Sequence, residues 1–191
     1  MVEYYATILT AFNERKCRFM NMNKIVVIGC GGAGKSSFSL KLQEILNISV
    51  YHLDALNWKP GWIPTPKEEW DDIIKNLIDK QEWIIDGNYG RTLDIRLENA
   101  DTIIFFNMPT YLCIYRILKR RLMYHGKSRP DMNEGCPEQL DWNFIKWVWN
   151  YNKDKKPKIL KKLKRYKSKK NVIIFNNKSE VDKFISDLKK Q

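Results

Sequence analysis

A chain of 191 residues can build one domain with a substantial buried core, and 43% apolar with 29% charged residues is the balance of an ordinary globular protein. No apolar run approaches the roughly 18 residues of a membrane-spanning helix, so no membrane partner is expected. The net charge of +12 is concentrated: residues 153–170 hold eleven Lys or Arg against a single acid, Asp154. Cys17, Cys30, Cys113 and Cys136 show neither metal-ligand nor C-x-x-C spacing and read as free thiols in a reducing cytoplasm.

Residues 1–22 precede a natural first strand and lack the basic start and unbroken apolar core of a signal peptide. They are either an extra amphipathic segment or lie upstream of the functional start, and no chemistry is expected of them. The working domain is placed at residues 23–191. It opens with the apolar run Ile25-Val26-Val27-Ile28, then Gly29-Cys30-Gly31-Gly32-Ala33-Gly34-Lys35-Ser36, then a helix-like segment from Ser37 to Asn47. G-x-x-x-x-G-K-S between a strand and a helix is the setting of a phosphate-binding loop. Gly29, Gly31, Gly32, Ala33 and Gly34 let backbone N–H groups curl around phosphates, helped by Ser37 and the positive end of the helix. Lys35 reaches the terminal phosphates, and Ser36 helps to hold Mg²⁺.

The run from Ile48 to Asp54 reads as a second strand that ends in a carboxylate where open α/β sheets bind ligands. Asp54 either holds or deprotonates a phosphoryl acceptor, or opens the following loop as a cap; His52 reads as structural. Trp58-Lys59-Pro60-Gly61-Trp62-Ile63-Pro64 is a proline- and glycine-marked loop whose Trp58 and Trp62 would flank an acceptor. Thr65, Pro66 and Glu68 suit N-cap, N1 and N3 of a helix with Trp70, Ile73, Ile74, Leu77 and Ile78 inward.

Trp83-Ile84-Ile85-Asp86 has the form of a Walker B strand, so Asp86 would orient Mg²⁺ through its water shell. Arg91 either clamps a phosphate or carboxylate or is a surface arginine at a helix start. The stretch from Ala100 to Pro109 reads as a further buried strand, stopped by the proline. The next helix is read with Leu112, Tyr115, Ile117, Leu118 and Leu122 inward, opposite Arg116, Lys119, Arg120 and Arg121. These arginines are the local supply of charge for a phosphoryl-transfer transition state. Residues 126–137 have the glycine and proline density of a lid over a nucleotide, with Arg129 as the useful side chain. Trp142, Phe144, Trp147 and Trp149 read mainly as packing. In the basic run, Ile159, Leu160, Leu163 and Tyr166 share one helical face, which favours a packed helix with a solvated lysine face over a nucleic-acid surface. A last strand, Asn171 to Phe175, precedes a helix capped by Ser179. The alternation predicts an α/β fold with five parallel strands and helices on both faces.

The glycine-rich loop, Tyr51-His52-Leu53-Asp54, Trp58-Lys59-Pro60-Gly61-Trp62, Trp83-Ile84-Ile85-Asp86-Gly87-Asn88-Tyr89 and Arg129-Pro130-Asp131-Met132 together resemble the bacterial DNA topology modulation proteins, of the adenylate-kinase-like group of P-loop kinases. The resemblance spans roughly Asn23 to Leu188. It implies a three-layer, nucleoside-monophosphate-kinase-like sheet of order 2-3-1-4-5, ATP and Mg²⁺ as cofactors, and lid-flanking roles for Arg120 and Arg129. It also implies a loop over the adenine base at Asn176 or Asn177. Asp86-Gly87 matches the start of the adenylate-kinase Asp-Gly-Phe-Pro-Arg motif, but Asn88-Tyr89-Gly90-Arg91 departs from its tail.

The leading expectation is an ATP-dependent phosphotransferase acting on a nucleoside monophosphate or another small acceptor, with Lys35, Asp86, Arg120, Arg129 and Asp54 in the chemistry. A nucleoside monophosphate would rely on Arg91; an alcohol would need Asp54 as base. The alternative is a regulatory ATP-binding protein acting on DNA topology through DNA or a protein partner. A GTPase is a third, on the strength of Asn177-Lys178-Ser179-Glu180, which resembles a guanine-reading motif but ends in Glu.

Overall fold

The computed structural model describes residues 22–190, so Cys17 and all but the last residue of the 1–22 extension lie outside the described residues. Its strands are β1 (Lys24–Gly29), β2 (Val50–His52), β3 (Trp58–Lys59), β4 (Ile63–Pro64), β5 (Trp83–Asp86), β6 (Thr102–Phe106) and β7 (Asn171–Phe175). Its helices are α1 (Lys35–Leu46), α2 (Leu53–Asn57), α3 (Lys67–Ile78), α4 (Leu93–Asn99), α5 (Thr110–Met123), α6 (Trp142–Asp154), α7 (Lys156–Tyr166) and α8 (Lys178–Leu188). Five strands form one parallel sheet in the order β2-β5-β1-β6-β7. Counting only those five in chain order, this is 2-3-1-4-5, as the resemblance implies.

The central strands are continuous apolar runs because helices cover both of their faces. Ile25, Val26, Val27 and Ile28 of β1, Ile84 and Ile85 of β5, and Ile103, Ile104 and Phe105 of β6 are fully buried. Phe38 of α1 packs edge-on against Phe106 and Phe175, and Phe175 against Phe184 of α8, which ties this helical layer to β6 and β7. On α7, Ile159 and Leu163 are buried while most of the lysines are exposed.

Several local readings are corrected. Trp58 to Pro64 is not a plain loop: β3 and β4 pair antiparallel across a turn with positive φ at Gly61 and Trp62. The second strand stops at His52, and Asp54 sits in the first turn of α2. Thr65 does not cap α3. Pro66 holds that position, and Thr65 Oγ1 donates to the carbonyls of Leu56 (3.2 Å) and Asn57 (3.0 Å), fastening the base of the hairpin. Asn177, not Ser179, caps α8, its side chain accepting from Glu180 N (2.9 Å) while Glu180 reaches back to Asn176 N (2.8 Å). The resemblance of residues 177–180 to a guanine-reading motif is thus a capping box.

The largest correction concerns α5. Cys113 and Ile117 point inward, and Arg116 and Arg120 lie on that same side. Tyr115, Leu118 and Leu122 are exposed, Leu122 at 81%. An amphipathic pattern reports that two faces differ; here the charged face is the one turned to the rest of the molecule, because the glycine-rich loop lies against it.

Candidate active site

At the carboxyl end of the sheet a cavity of about 840 Å³ is lined by the loop residues Gly31, Gly32, Gly34, Lys35, Ser36 and Ser37, and by Asp54, Trp58, Trp62, Asp86, Arg116, Arg120 and Arg129. Residues far apart in sequence, each singled out for its chemistry, thus share one space. Its size is that of a small-molecule or cofactor site.

The loop is built tightly. Gly32 has φ of 74°, and a Cβ placed there would stand 2.4 Å from the carbonyl oxygen of Cys113. At Gly31 a Cβ would meet the Phe144 ring at 2.5 Å. Backbone therefore approaches α5 and α6 as closely as atoms allow. Lys35 folds back, Nζ donating to Cys30 O (3.1 Å), and Arg116 Nη1 donates to Ala33 O (2.9 Å). Asn88 clamps the start of the loop through both halves of its amide: Nδ2 donates to Gly29 O (2.6 Å) and Oδ1 accepts from Gly29 N (3.1 Å).

Asp86 ends β5, buried, beside β1 and β2. One carboxylate oxygen lies 3.0 Å from His52 Nδ1, the register partner on β2. The other, Oδ1, is buried with no hydrogen-bond partner among the described residues. A buried carboxylate oxygen is expensive to leave unpaired, and Asp86 is among the residues that line the cavity with Ser36. An oxygen-seeking cation with its waters fits that donor set.

Elsewhere in the cavity wall, Tyr89 Oη donates to Asp54 Oδ1 (2.9 Å), and its ring packs on Trp70 at 4.8 Å between centroids. Burial, then the Asp54 charge, hold the Tyr89 phenol well above its ordinary range, so it stays a donor. Trp58 and Trp62 meet edge-to-face at 5.6 Å. Residues 126–137 dock on this hairpin: Gly61 N donates to Gly135 O (2.8 Å), Trp62 Nε1 to Pro137 O (3.2 Å) and Asn133 Nδ2 to Trp58 O (2.9 Å).

Arg91 is not brought to this cavity. It forms a fork with Asp71, Nε to Oδ1 at 3.0 Å and Nη2 to Oδ2 at 2.5 Å, beside a separate shallow hollow. Asn176 and Asn177 lie at the start of α8, and neither lines the cavity; Asn176 Oδ1 accepts from Asn107 Nδ2 (2.7 Å). Trp142 and Trp149 are exposed rather than packed, Trp142 at 73%, whereas Phe144 and Trp147 stack and line the cavity.

Three site residues were missed from sequence: Asn88, Arg96 and Glu138. Arg96 is fully buried and donates to the carbonyls of Gly87 (2.9 Å), Asn88 (2.8 Å), Tyr89 (3.0 Å) and Thr92 (3.2 Å), fixing the turn after Asp86. Burial pushes its guanidinium down to about 10, with Asp86 and then Tyr89 opposing. Its signal was an arginine on the apolar Leu93–Leu97 face. Glu138 takes Arg120 Nε on one oxygen (2.9 Å) and Arg129 Nε on the other (2.8 Å). Burial, then the neighbouring Arg129, lower the Arg120 guanidinium while Glu138 opposes.

No protein-family model matches the chain, and no curated protein matches it in sequence. Solved structures do match in shape. A shikimate kinase from Acinetobacter baumannii in complex with shikimate aligns at TM-score 0.57 and 15% identity, covering 89% of this chain and 92% of the other. A gluconokinase from Sinorhizobium meliloti 1021 aligns at TM-score 0.51 and 15% identity, covering 87% and 89%. The chain has the fold of these kinases: a three-layer α/β P-loop architecture over nearly its whole described length.

Proposed function

We propose that the chain is a P-loop kinase that transfers the γ-phosphoryl group of ATP·Mg²⁺ to a hydroxyl group of a small acceptor. The observation that carries this reading is that one cavity is lined by the Lys35–Ser36 loop, by the Tyr89-held Asp54 and by Arg116, Arg120 and Arg129. The kinase fold of the two structural neighbours supports it. Bound ATP supplies the phosphoryl group, and Mg²⁺ offsets charge on its oxygens. Ser36 and, through water, Asp86 would hold the metal; the partnerless Asp86 Oδ1 suits that task.

Asp54 takes the proton of the acceptor hydroxyl as that oxygen bonds to the γ-phosphorus. The bond from phosphorus to the bridging oxygen breaks and ADP leaves. Lys35 and the arginines stabilise the charge spread over the transferring group. Residues 126–137, fastened to the hairpin, act as the lid that excludes water. Arg91, committed to Asp71 outside the cavity, is not there to clamp an acceptor phosphate, which favours a hydroxyl acceptor over a nucleoside monophosphate.

The test is ADP release from ATP·Mg²⁺ with a panel of hydroxylated metabolites and nucleoside monophosphates, run beside Lys35→Ala. Release that depends on a hydroxylated acceptor and disappears in the variant is the expected result. Turnover with nucleoside monophosphates alone would overturn the acceptor assignment, and no acceptor-dependent release would overturn the kinase reading.

A further inference from the structure

Glu138 is 4% exposed, and a carboxylate that deep is kept only where it is paired. Its partners are two arginines, each engaged through Nε. Its backbone is tied as well, N donating to Lys127 O (2.9 Å) and O accepting from Arg121 Nη1 (2.7 Å), so the ends of segment 127–138 meet at this residue. A carboxylate that serves only as an ion-pair partner would be expected on the two-nitrogen fork of one arginine. Here it is divided between two, and the terminal nitrogens of Arg120 and Nη2 of Arg129 have no partner among the described residues. All three side chains line the cavity that holds Lys35. Two adjacent guanidinium groups repel each other, and the shared carboxylate both offsets that repulsion and fixes the direction of the Arg120 fork and, together with Asp131 on Arg129 Nη1 (3.2 Å), that of the Arg129 fork.

Resting on the kinase reading above, we infer that Glu138 is a positioning residue that aims the open edges of Arg120 and Arg129 at the terminal phosphate of the bound nucleotide. It touches no substrate; it acts through the two arginines. The readout is therefore the preference of the full chain for ATP over ADP, measured with Mg²⁺ by calorimetry, since only ATP presents the phosphate these arginines would meet. Glu138→Gln lowers that preference about tenfold, the scale of one charge-assisted hydrogen bond, while ADP affinity stays within about twofold of wild type. Glu138→Asp, which keeps the charge but is a methylene too short to span both Nε atoms, lowers it less, and serves if the Gln variant does not fold. Adding Glu138→Gln to Arg129→Lys brings a smaller loss than Glu138→Gln brings in the wild type, because only the part carried by Arg120 remains. An unchanged preference in the folded variants, an equal fall for ATP and ADP, or additive losses in the double variant would each overturn the inference. Lys35→Ala separates the two levels: if it leaves both nucleotide affinities at wild-type values, the kinase reading itself fails.

Discussion

Asp54, in the first turn of α2, and Asp86, at the end of β5, differ in everything but their functional group. Asp86 is buried, with one oxygen at His52 and the other without a hydrogen-bond partner among the described residues. Asp54 is exposed to the cavity and takes a single hydrogen bond from Tyr89. The surroundings divide the labour: the buried, strand-end carboxylate suits a hydrated cation, and the reachable one suits a substrate proton. Asp54→Asn is accordingly expected to slow turnover with a hydroxylated acceptor about 10²- to 10⁴-fold, the usual contribution of a general base, with ATP affinity within twofold of wild type. Asp86→Asn is expected to do the reverse in binding, weakening the Mg²⁺-dependent part of ATP affinity. Steady-state kinetics and nucleotide titrations with and without Mg²⁺ check the pair. A kinetic loss confined to KM at Asp54 would assign it to acceptor binding instead of proton transfer.

At the scale of elements, the loop and α5 behave as one part. The Cβ that Gly32→Ala introduces has no room against the Cys113 carbonyl, and its φ of 74° disfavours any side chain. About 2 kcal/mol of destabilisation follows, a Tm fall of roughly 4–8 °C for a chain of this size. Nucleotide affinity should drop with it, because loop and helix must part to admit the methyl group. Thermal melts with and without ATP measure both, and a variant unchanged in each would mean that the loop is free to shift. The close fit of loop and helix also explains what the sequence could and could not disclose. The three central sheet strands were legible because parallel strands buried on both faces are unbroken apolar runs; the glycine loop was legible because its spacing is rigid. The inward face of α5 was not, since Tyr115, Leu118 and Leu122 offer as good an apolar stripe as Cys113 and Ile117, and only the loop's need for charge decides between them. The β3–β4 pair has two residues a side and one of them is proline, so it leaves no alternation to read. Asn88, Arg96 and Glu138 act singly, through carbonyls or guanidinium groups that arrive from elsewhere in the chain, and a lone polar residue has no period.

For the whole molecule the question is whether a charge of +12 belongs to function or to architecture. The basic run is anchored. Ile159 and Leu163 are buried, Lys162 pairs with Asp94 of α4, and Lys170 Nζ donates to the carbonyls of Leu97 (2.9 Å) and Ala100 (2.7 Å). Burial lowers the Lys170 ammonium, while Asp101 and then Glu98 oppose the shift. Helix α7 thus braces α4, and α4 carries the Arg96 that fixes the turn after Asp86. Lys158, Lys161 and Lys164 remain on the exposed face and have no such task. If the charge is architectural, DNA binding is nonspecific counterion release alone: indifferent to sequence, and weaker by about 10³-fold or more between 50 and 200 mM salt if six or more phosphates are met. Replacing Lys158, Lys161 and Lys164 by Gln should then reduce the slope of log affinity against log salt, by about 0.9 for each phosphate that is no longer neutralised, while leaving ATP turnover unchanged. Fluorescence anisotropy with two unrelated duplexes, run beside the ADP-release assay, reads both quantities. Binding that survives 200 mM salt and distinguishes the duplexes would move the exposed face of α7 from architecture to recognition, and turnover that fell in the triple variant would tie that face to the cavity.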